Sequence, residues 1–327
     1  MKRSRWAGRV KGPGQPGRRK PLRPRDFIED RDGWIYAVSA YDNAEKAGCI
    51  LRYIPDPRGD RVNPEGVRYR KVDFEESFGL IRDEKPTYLG EILRVPLEDI
   101  TRVHKPEENL GFCRERDSRV CALADLFSLP AGALGCTGSR VCGLESPSSD
   151  IDLVVYGRTF FAARELLKRL IGEGRVTDLS PEMWRAVYEK RDPEIPFELF
   201  LLHEMRKFNR GEIEGTYFDL LYTRAYDDLE APPPPRGEKV GRTTLEATVT
   251  DASFSFDNPA SYAIDHDKVS RIICFTHTYS GQALPGEVVE ACGVLEEHGG
   301  ELWLVVGTTR TARGEYIISK TLLEEQG

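Results

Sequence analysis

Asp150 and Asp152, in the run SSDIDLVVYG, follow the pair Gly138-Ser139 after ten intervening residues. On a strand the two carboxylates project from one face, with Ile151 and Leu153 turned to the other. Like charges so placed repel, and they call for a cation between them. Oxygen donors of this kind suit Mg²⁺, which takes one or two carboxylates and completes its shell with substrate phosphates. The chemistry that fits is in-line attack of a hydroxyl on the α-phosphorus of a nucleoside triphosphate, where two Mg²⁺ ions activate the attacking oxygen and neutralise the leaving one. Gly138 lets the backbone come close to the phosphates, and the Ser139 hydroxyl and the amides of the helix start beyond it can donate to them. Arg140 and Ser149, within the same stretch, are secondary candidates for phosphate contact.

The elements that must hold these residues are legible on both sides. RVCALADLF places Val120, Leu123, Ala124 and Phe127 at helical spacing, and Pro130 ends that helix. A short strand, the Gly-Ser turn, a brief helix start and the polar turn ESPSS then lead into the strand DIDLVVYG. TFFAARELLKRLIGEG is an amphipathic helix with Ala163, Leu166, Leu167, Leu170 and Ile171 on one stripe. SPEMWRAVYEKR and PFELFLLHEMRKFNRG read as further helices before the strand TYFDLLYT, residues 216 to 223.

Gly138-Ser139 with the Asp150-Ile151-Asp152 triplet resembles the signature of the DNA polymerase beta-like nucleotidyltransferase superfamily, over roughly residues 115 to 225. The layout as a whole is similar to uncharacterised archaeal proteins known only as predicted nucleotidyltransferases. The resemblance implies a mixed sheet whose first two aspartates bind both metals. It also implies a third carboxylate on a neighbouring strand, which binds the catalytic metal and helps to deprotonate the acceptor. The matching position is Asp219 in YFDLLYT, with Glu198 and Asp227 as competing carboxylates. Arg206, Lys207 and Arg210, just ahead of that strand, are candidates for neutralising phosphates, or form the solvated cationic end of a helix.

The remaining chain frames this unit. Residues 1–25 hold ten Lys or Arg and no acid, with four Gly and four Pro, and read as a disordered basic arm. Removing those ten charges from the formal net of −7 leaves −17 for the other 302 residues, an asymmetry that fits an arm touching nucleic acid. Residues 26–110 alternate strand runs with turns around one helical piece, without a recognisable catalytic pattern. PPPP at 232–235 marks a stiff linker, residues 232–239. Beyond it, runs such as TLEATVTDASFSF and ELWLVVGTTRT are strands, with His298-Gly299-Gly300 as a hairpin turn. The expected fold class is α+β multidomain: a small α+β domain (26–110), a central nucleotidyltransferase mixed α/β domain (111–231) and a C-terminal β-barrel-like domain (240–327).

Seven cysteines without a C-x-x-C, and five histidines without a metal-ligand spacing, fit free thiols in a reducing cytoplasm and argue against zinc. No apolar run approaches the ~20 residues that span a bilayer. No Walker loop or G-x-S-x-G occurs, and GPGQPG at residues 12–17 lacks the strand a dinucleotide fingerprint needs. The expected partners are a nucleoside triphosphate with two Mg²⁺ ions and an RNA acceptor, reached through the arm and through aromatics Phe254, Phe256, Tyr262, Phe275, Tyr279 and Trp303 of the C-terminal domain. The alternatives are a non-catalytic RNA-binding protein on the same scaffold, or nucleotidylylation of a protein or small molecule.

Overall fold

The computed structural model describes residues 20–229, 235–309 and 312–325. It is mixed α/β, with three sheets laid out in chain order. The N-terminal sheet holds β1 (Phe27–Asp30), β2 (Ile35–Val38), β3 (Lys46–Pro55), β4 (Arg61–Val62), β5 (Arg68–Lys71), β6 (Leu93–Pro96) and β7 (Ile100–His104), with helix α1 (Phe74–Glu84) inserted after β5. Its order is β4-β5-β3-β2-β1-β7, and β6 adds to β3. One face buries Ile28, Tyr36, Leu51 and Val72 with Ile81 of α1; the other packs Tyr53 and Tyr69 on Val141, Cys142 and Leu144 of the central region.

Helices α2 (Leu110–Arg116) and α3 (Ser118–Phe127) lead into the central sheet of β8 (Leu134–Cys136), β9 (Ile151–Tyr156), β10 (Arg210–Ile213) and β11 (Thr216–Thr223), ordered β10-β11-β9-β8. β9 and β11 are parallel neighbours, and α4 (Thr159–Gly172), α5 (Pro181–Arg191) and α6 (Phe197–Met205) lie between them in the chain. The stripe Phe160, Ala163, Leu167 and Leu170 of α4 is fully buried against Ile151, Leu153 and Val155 of β9 and Phe218 and Leu220 of β11. Each large side chain of that stripe contributes roughly 1.5–3 kcal/mol through removal from water. The alternation that drives those residues onto α4 turns Asp152 and Asp219 to the opposite face.

The third sheet comprises β12 (Glu238–Phe254), β13 (Ala260–Asp265), β14 (Val269–Cys274), β15 (Val288–His298), β16 (Glu301–Val306) and β17 (Tyr316–Ser319), followed by α7 (Lys320–Glu324). The 17-residue β12 pairs with both β13 and β15, so the ladder β12-β13-β14-β16-β15 returns on itself. The hairpin joining β15 and β16 turns at Gly299 and Gly300, both at positive φ. Helices α5 and α6 pack on this sheet through Trp184 and Phe200, and Ser319 N donates to His203 Nε2 at 2.9 Å.

Two expectations need correction or placement. Residues 1–19 of the basic arm, and residues 230–234 of the Pro-rich stretch, lie outside the described residues. Residues 20–25, however, are not arm-like: Arg23 is buried, its guanidinium held between the rings of Tyr156 and Tyr226 at 3.7 and 3.8 Å and paired with Glu107 at 3.0 Å. A planar cation between two aromatic faces beside a buried carboxylate is well compensated, which is what sequence composition could not reveal. Among the described residues no helix is long and apolar enough to cross a membrane.

Candidate active site

β9 and β11 bring two of the acids together. In their parallel register Asp219 is the direct partner of Asp152, so both side chains stand on the same face. Asp150 precedes β9 and is exposed, while Asp152 and Asp219 are partly buried. Burial pushes the Asp152 carboxyl up to about 6, and the charges of Asp219 and Asp150 push it the same way, against the pull of Arg25 and Arg52. One oxygen of Asp219, Oδ1, is buried without a hydrogen-bond partner. Glu198 and Asp227 stand elsewhere, exposed in the first turn of α6 and in the turn after β11.

The Gly-Ser turn closes over the same acids. Thr137 N donates to Asp152 O at 2.9 Å. Gly138 then adopts φ +70°, and a Cβ there would lie 2.3 Å from Asp152 Oδ2, so no other residue fits without displacing the carboxylate. Ser139 caps a one-turn helix (Arg140–Cys142) with its side chain free of any capping bond. Arg140 is buried and acts on the protein itself: it pairs with Asp117 at 2.9 Å and donates to the carbonyls of Ser149, at 3.1 Å, and Asp150. It thereby fixes the loop that delivers Asp150 to β9. Ser149 Oγ accepts from Ser146 N at 2.9 Å and from Arg61 Nη1 at 3.3 Å.

The basic cluster before β11 is divided. Arg206 pairs with Glu287 at 2.6 Å, and Lys207 is buried against Glu204 and the carbonyl of Thr278, so both are engaged with groups of α6 and the C-terminal region. Arg210 pairs with Glu204 at 2.9 Å and reaches Asp219 Oδ1 at only 3.8 Å, too far for a hydrogen bond. Of the three, Arg210 alone meets the acids. None is the solvated end of a helix.

A cation absent from the sequence reading enters from the N-terminal segment. Arg25 takes a left-handed backbone (φ +78°), and Thr137 Oγ1 donates to its carbonyl at 2.6 Å. Burial lowers its pKa, while Asp152 and Asp219 oppose that shift. Its Nη2 donates to His277 Nε2 at 3.1 Å. Burial and the surrounding Arg25, Arg191, Arg210 and Lys207 hold His277 well below its usual range, so the imidazole is neutral and can accept that bond. A non-glycine residue in this backbone region signals a constraint worth its strain. No pattern of spacing could have marked Arg25, which stands in a stretch rich in Pro, Gly and other cations.

Hard oxygen donors, one of them orphaned, and a glycine cradle against Asp152 fit a divalent cation that shares its shell with phosphates. Among the described residues, no group of three or more His, Cys, Asp or Glu is gathered tightly enough to hold a metal by itself. Two shallow surface depressions lie off this place, one beside Arg116, Ser118 and Glu145 and the other beside Arg236, His298 and Trp303. Of the aromatics considered for base stacking, Tyr262 and Tyr279 are core. Phe254 lies under Arg224 and Phe256 against Phe160, while Trp303 stacks on His298 at 3.8 Å. Phe275 stays exposed.

The chain is 34% identical to the uncharacterized protein MJ1086 of Methanocaldococcus jannaschii, over 90% of its own length and 98% of that protein. No family model and no solved structure matches it.

Proposed function

We propose, for a chain that belongs to the same family as the M. jannaschii protein, a Mg²⁺-dependent nucleotidyltransferase that moves a nucleoside monophosphate from a triphosphate to a hydroxyl. The observation that carries this reading is the register of Asp219 on Asp152, with the Gly138 backbone pressed on the Asp152 carboxylate. Divalent cations supply neutralisation of phosphate charge and a lowered pKa for the acceptor hydroxyl. Asp150, Asp152 and Asp219 would hold them, with phosphates completing the shell. The amides and hydroxyl of Gly138-Ser139 donate to phosphate oxygens. Arg140 positions Asp150 through its carbonyl. The acceptor oxygen bonds to the α-phosphorus, the bond to the bridging oxygen breaks, pyrophosphate leaves, and the acceptor proton passes to the Asp219 carboxylate. RNA is the acceptor we favour, on the charge of residues 1–19; a protein or small-molecule hydroxyl is the alternative within the same chemistry.

A second reading keeps the scaffold as a non-catalytic RNA-binding module. It draws on the absence, among the described residues, of a ready three-donor cluster, and on Arg25 already facing two of the acids. Transfer of labelled monophosphate decides between them: Asp150→Asn and Asp152→Asn should each reduce it by about 10²–10³-fold or more, with circular dichroism unchanged. Undiminished transfer in either variant contradicts the catalytic reading, and RNA binding indifferent to both Mg²⁺ and triphosphate supports the second.

A further inference from the structure

The N-terminal sheet carries its own concentration of charge, opposite in sign and directed at the same acids. In β3, Ile35 pairs with Tyr53 but Tyr36 pairs with Leu51, so Arg52 is the extra residue of a β-bulge. The bulge explains why Leu51 sits in the N-terminal core while Tyr53, two residues on, sits in the cluster shared with Val141 and Leu144. Bulges of this kind re-aim side chains. Lys71 is the cross-strand partner of Tyr53, and Arg61 that of Tyr69, which puts both cations on the face that meets the central region. Arg61 confirms the direction, since its Nη1 donates to Leu144 O at 3.1 Å and to Ser149 Oγ at 3.3 Å, next to Asp150.

These cations are close enough to act on one another. Burial lowers the Lys71 pKa, repulsion from Arg52, Arg61 and Lys190 of α5 lowers it further, and Asp150 opposes the shift. Among the described residues, the side chains of Arg52, Lys71 and Lys190 make no hydrogen bond or ion pair. Neighbouring arginines are different: Arg70 is neutralised by Glu76 at 2.6 Å and Asp56 at 3.5 Å, and Arg68 donates to Gly59 O at 3.0 Å. Beside the acids, then, Arg52 and Lys71 have no acid partner among the described residues and Arg61 meets only the exposed Asp60, at 3.1 Å, so that the charge gathers there as a patch and not as a track along the sheet. A patch suits a short, dense polyanion; a nucleic-acid backbone calls for a row.

We propose that Arg52, Arg61 and Lys71 form an anion site for the β- and γ-phosphates of the nucleotide, so that the N-terminal sheet grips the leaving group while the central sheet holds the α-phosphate. The identity of the ligand rests on the nucleotidyltransferase reading; the existence of the anion site does not. Arginine forks and lysine ammonium groups both serve such phosphates, the former bidentately.

Inorganic tripolyphosphate, titrated calorimetrically into the full chain without divalent cation, tests the site apart from catalysis. The double variant Arg52→Gln/Lys71→Gln should weaken binding by about tenfold or more, and Arg61→Gln, on a separate strand, by severalfold, with melting temperatures retained. A parallel titration with a single-stranded RNA lacking terminal phosphates should change less. Absent tripolyphosphate binding by the wild type, or affinity untouched by either variant, overturns the site. So does a loss confined to RNA, which would assign the patch to a nucleic-acid backbone. Loss of tripolyphosphate binding alongside full transfer by Asp150→Asn would retain the anion site and remove the catalytic reading.

Discussion

Two carboxylates of the central region, the buried Glu204 and the partly buried Asp152, have opposite fates. Burial alone would raise both. At Glu204 three cations outweigh it: Arg210 at 2.9 Å, Lys207, and Arg191 at 3.2 Å hold the carboxyl down at about 2. At Asp152 the near neighbours are Asp219 and Asp150, and the carboxyl rises to about 6 despite Arg25 and Arg52. Arg210 links the two places, committed to Glu204 and stopping short of Asp219. Glu204 is a closed account of charge that fixes α6 to its surroundings. Asp152 is left with unbalanced negative charge, which is the condition for recruiting a cation.

Breaking each site should therefore do opposite things. Glu204→Gln strands two buried cations, Lys207 and Arg210, and the partly buried Arg191, and should cost roughly 3–5 kcal/mol in denaturant unfolding. Asp152→Asn, which relieves repulsion, should leave stability at pH 8 unchanged or raised. Equal losses in the two variants would erase the distinction.

pH sharpens the contrast. The native Asp152 carboxyl titrates above its unfolded value, so its favourable contribution is complete below about pH 4 and is lost as pH rises through about 6, by up to roughly 2–3 kcal/mol relative to Asp152→Asn. Glu204 runs the other way: its contribution is present above about pH 4.5 and is lost as pH falls toward 2. Melting curves of wild type and both variants from pH 3 to 8 should show these opposed slopes. A smaller effect is expected at Gly138→Ala, where positive φ and the contact with Asp152 should cost about 1–2 kcal/mol and displace the carboxylate. Transfer activity should fall more than stability does.

The sequence made the local carriers of the site legible. The DIDLVVYG and TYFDLLYT patterns correspond to β9 and β11, and the apolar stripe from Phe160 to Leu170 to α4, because period and composition agree there. What it could not show is how distant elements converge. Arg25 is aimed by a backbone turn bonded to Thr137. Arg52 is aimed by a bulge that exists only in the register of β2 on β3. Arg206 finds Glu287 in the turn before β15, 81 residues on, which no local pattern signals. The four-residue strands β1 and β10 carry too few residues to establish a period and emerge only through pairing.

The direct test of the central claim is calorimetric titration of a nucleoside triphosphate analogue that cannot be cleaved between its α- and β-phosphates, with and without Mg²⁺, into wild type and Asp219→Asn at pH 8. If Asp152 and Asp219 share a divalent cation with the nucleotide, binding should require Mg²⁺ and weaken by about ten- to a hundredfold in the variant. Binding of equal strength without Mg²⁺, or untouched by Asp219→Asn, would contradict it.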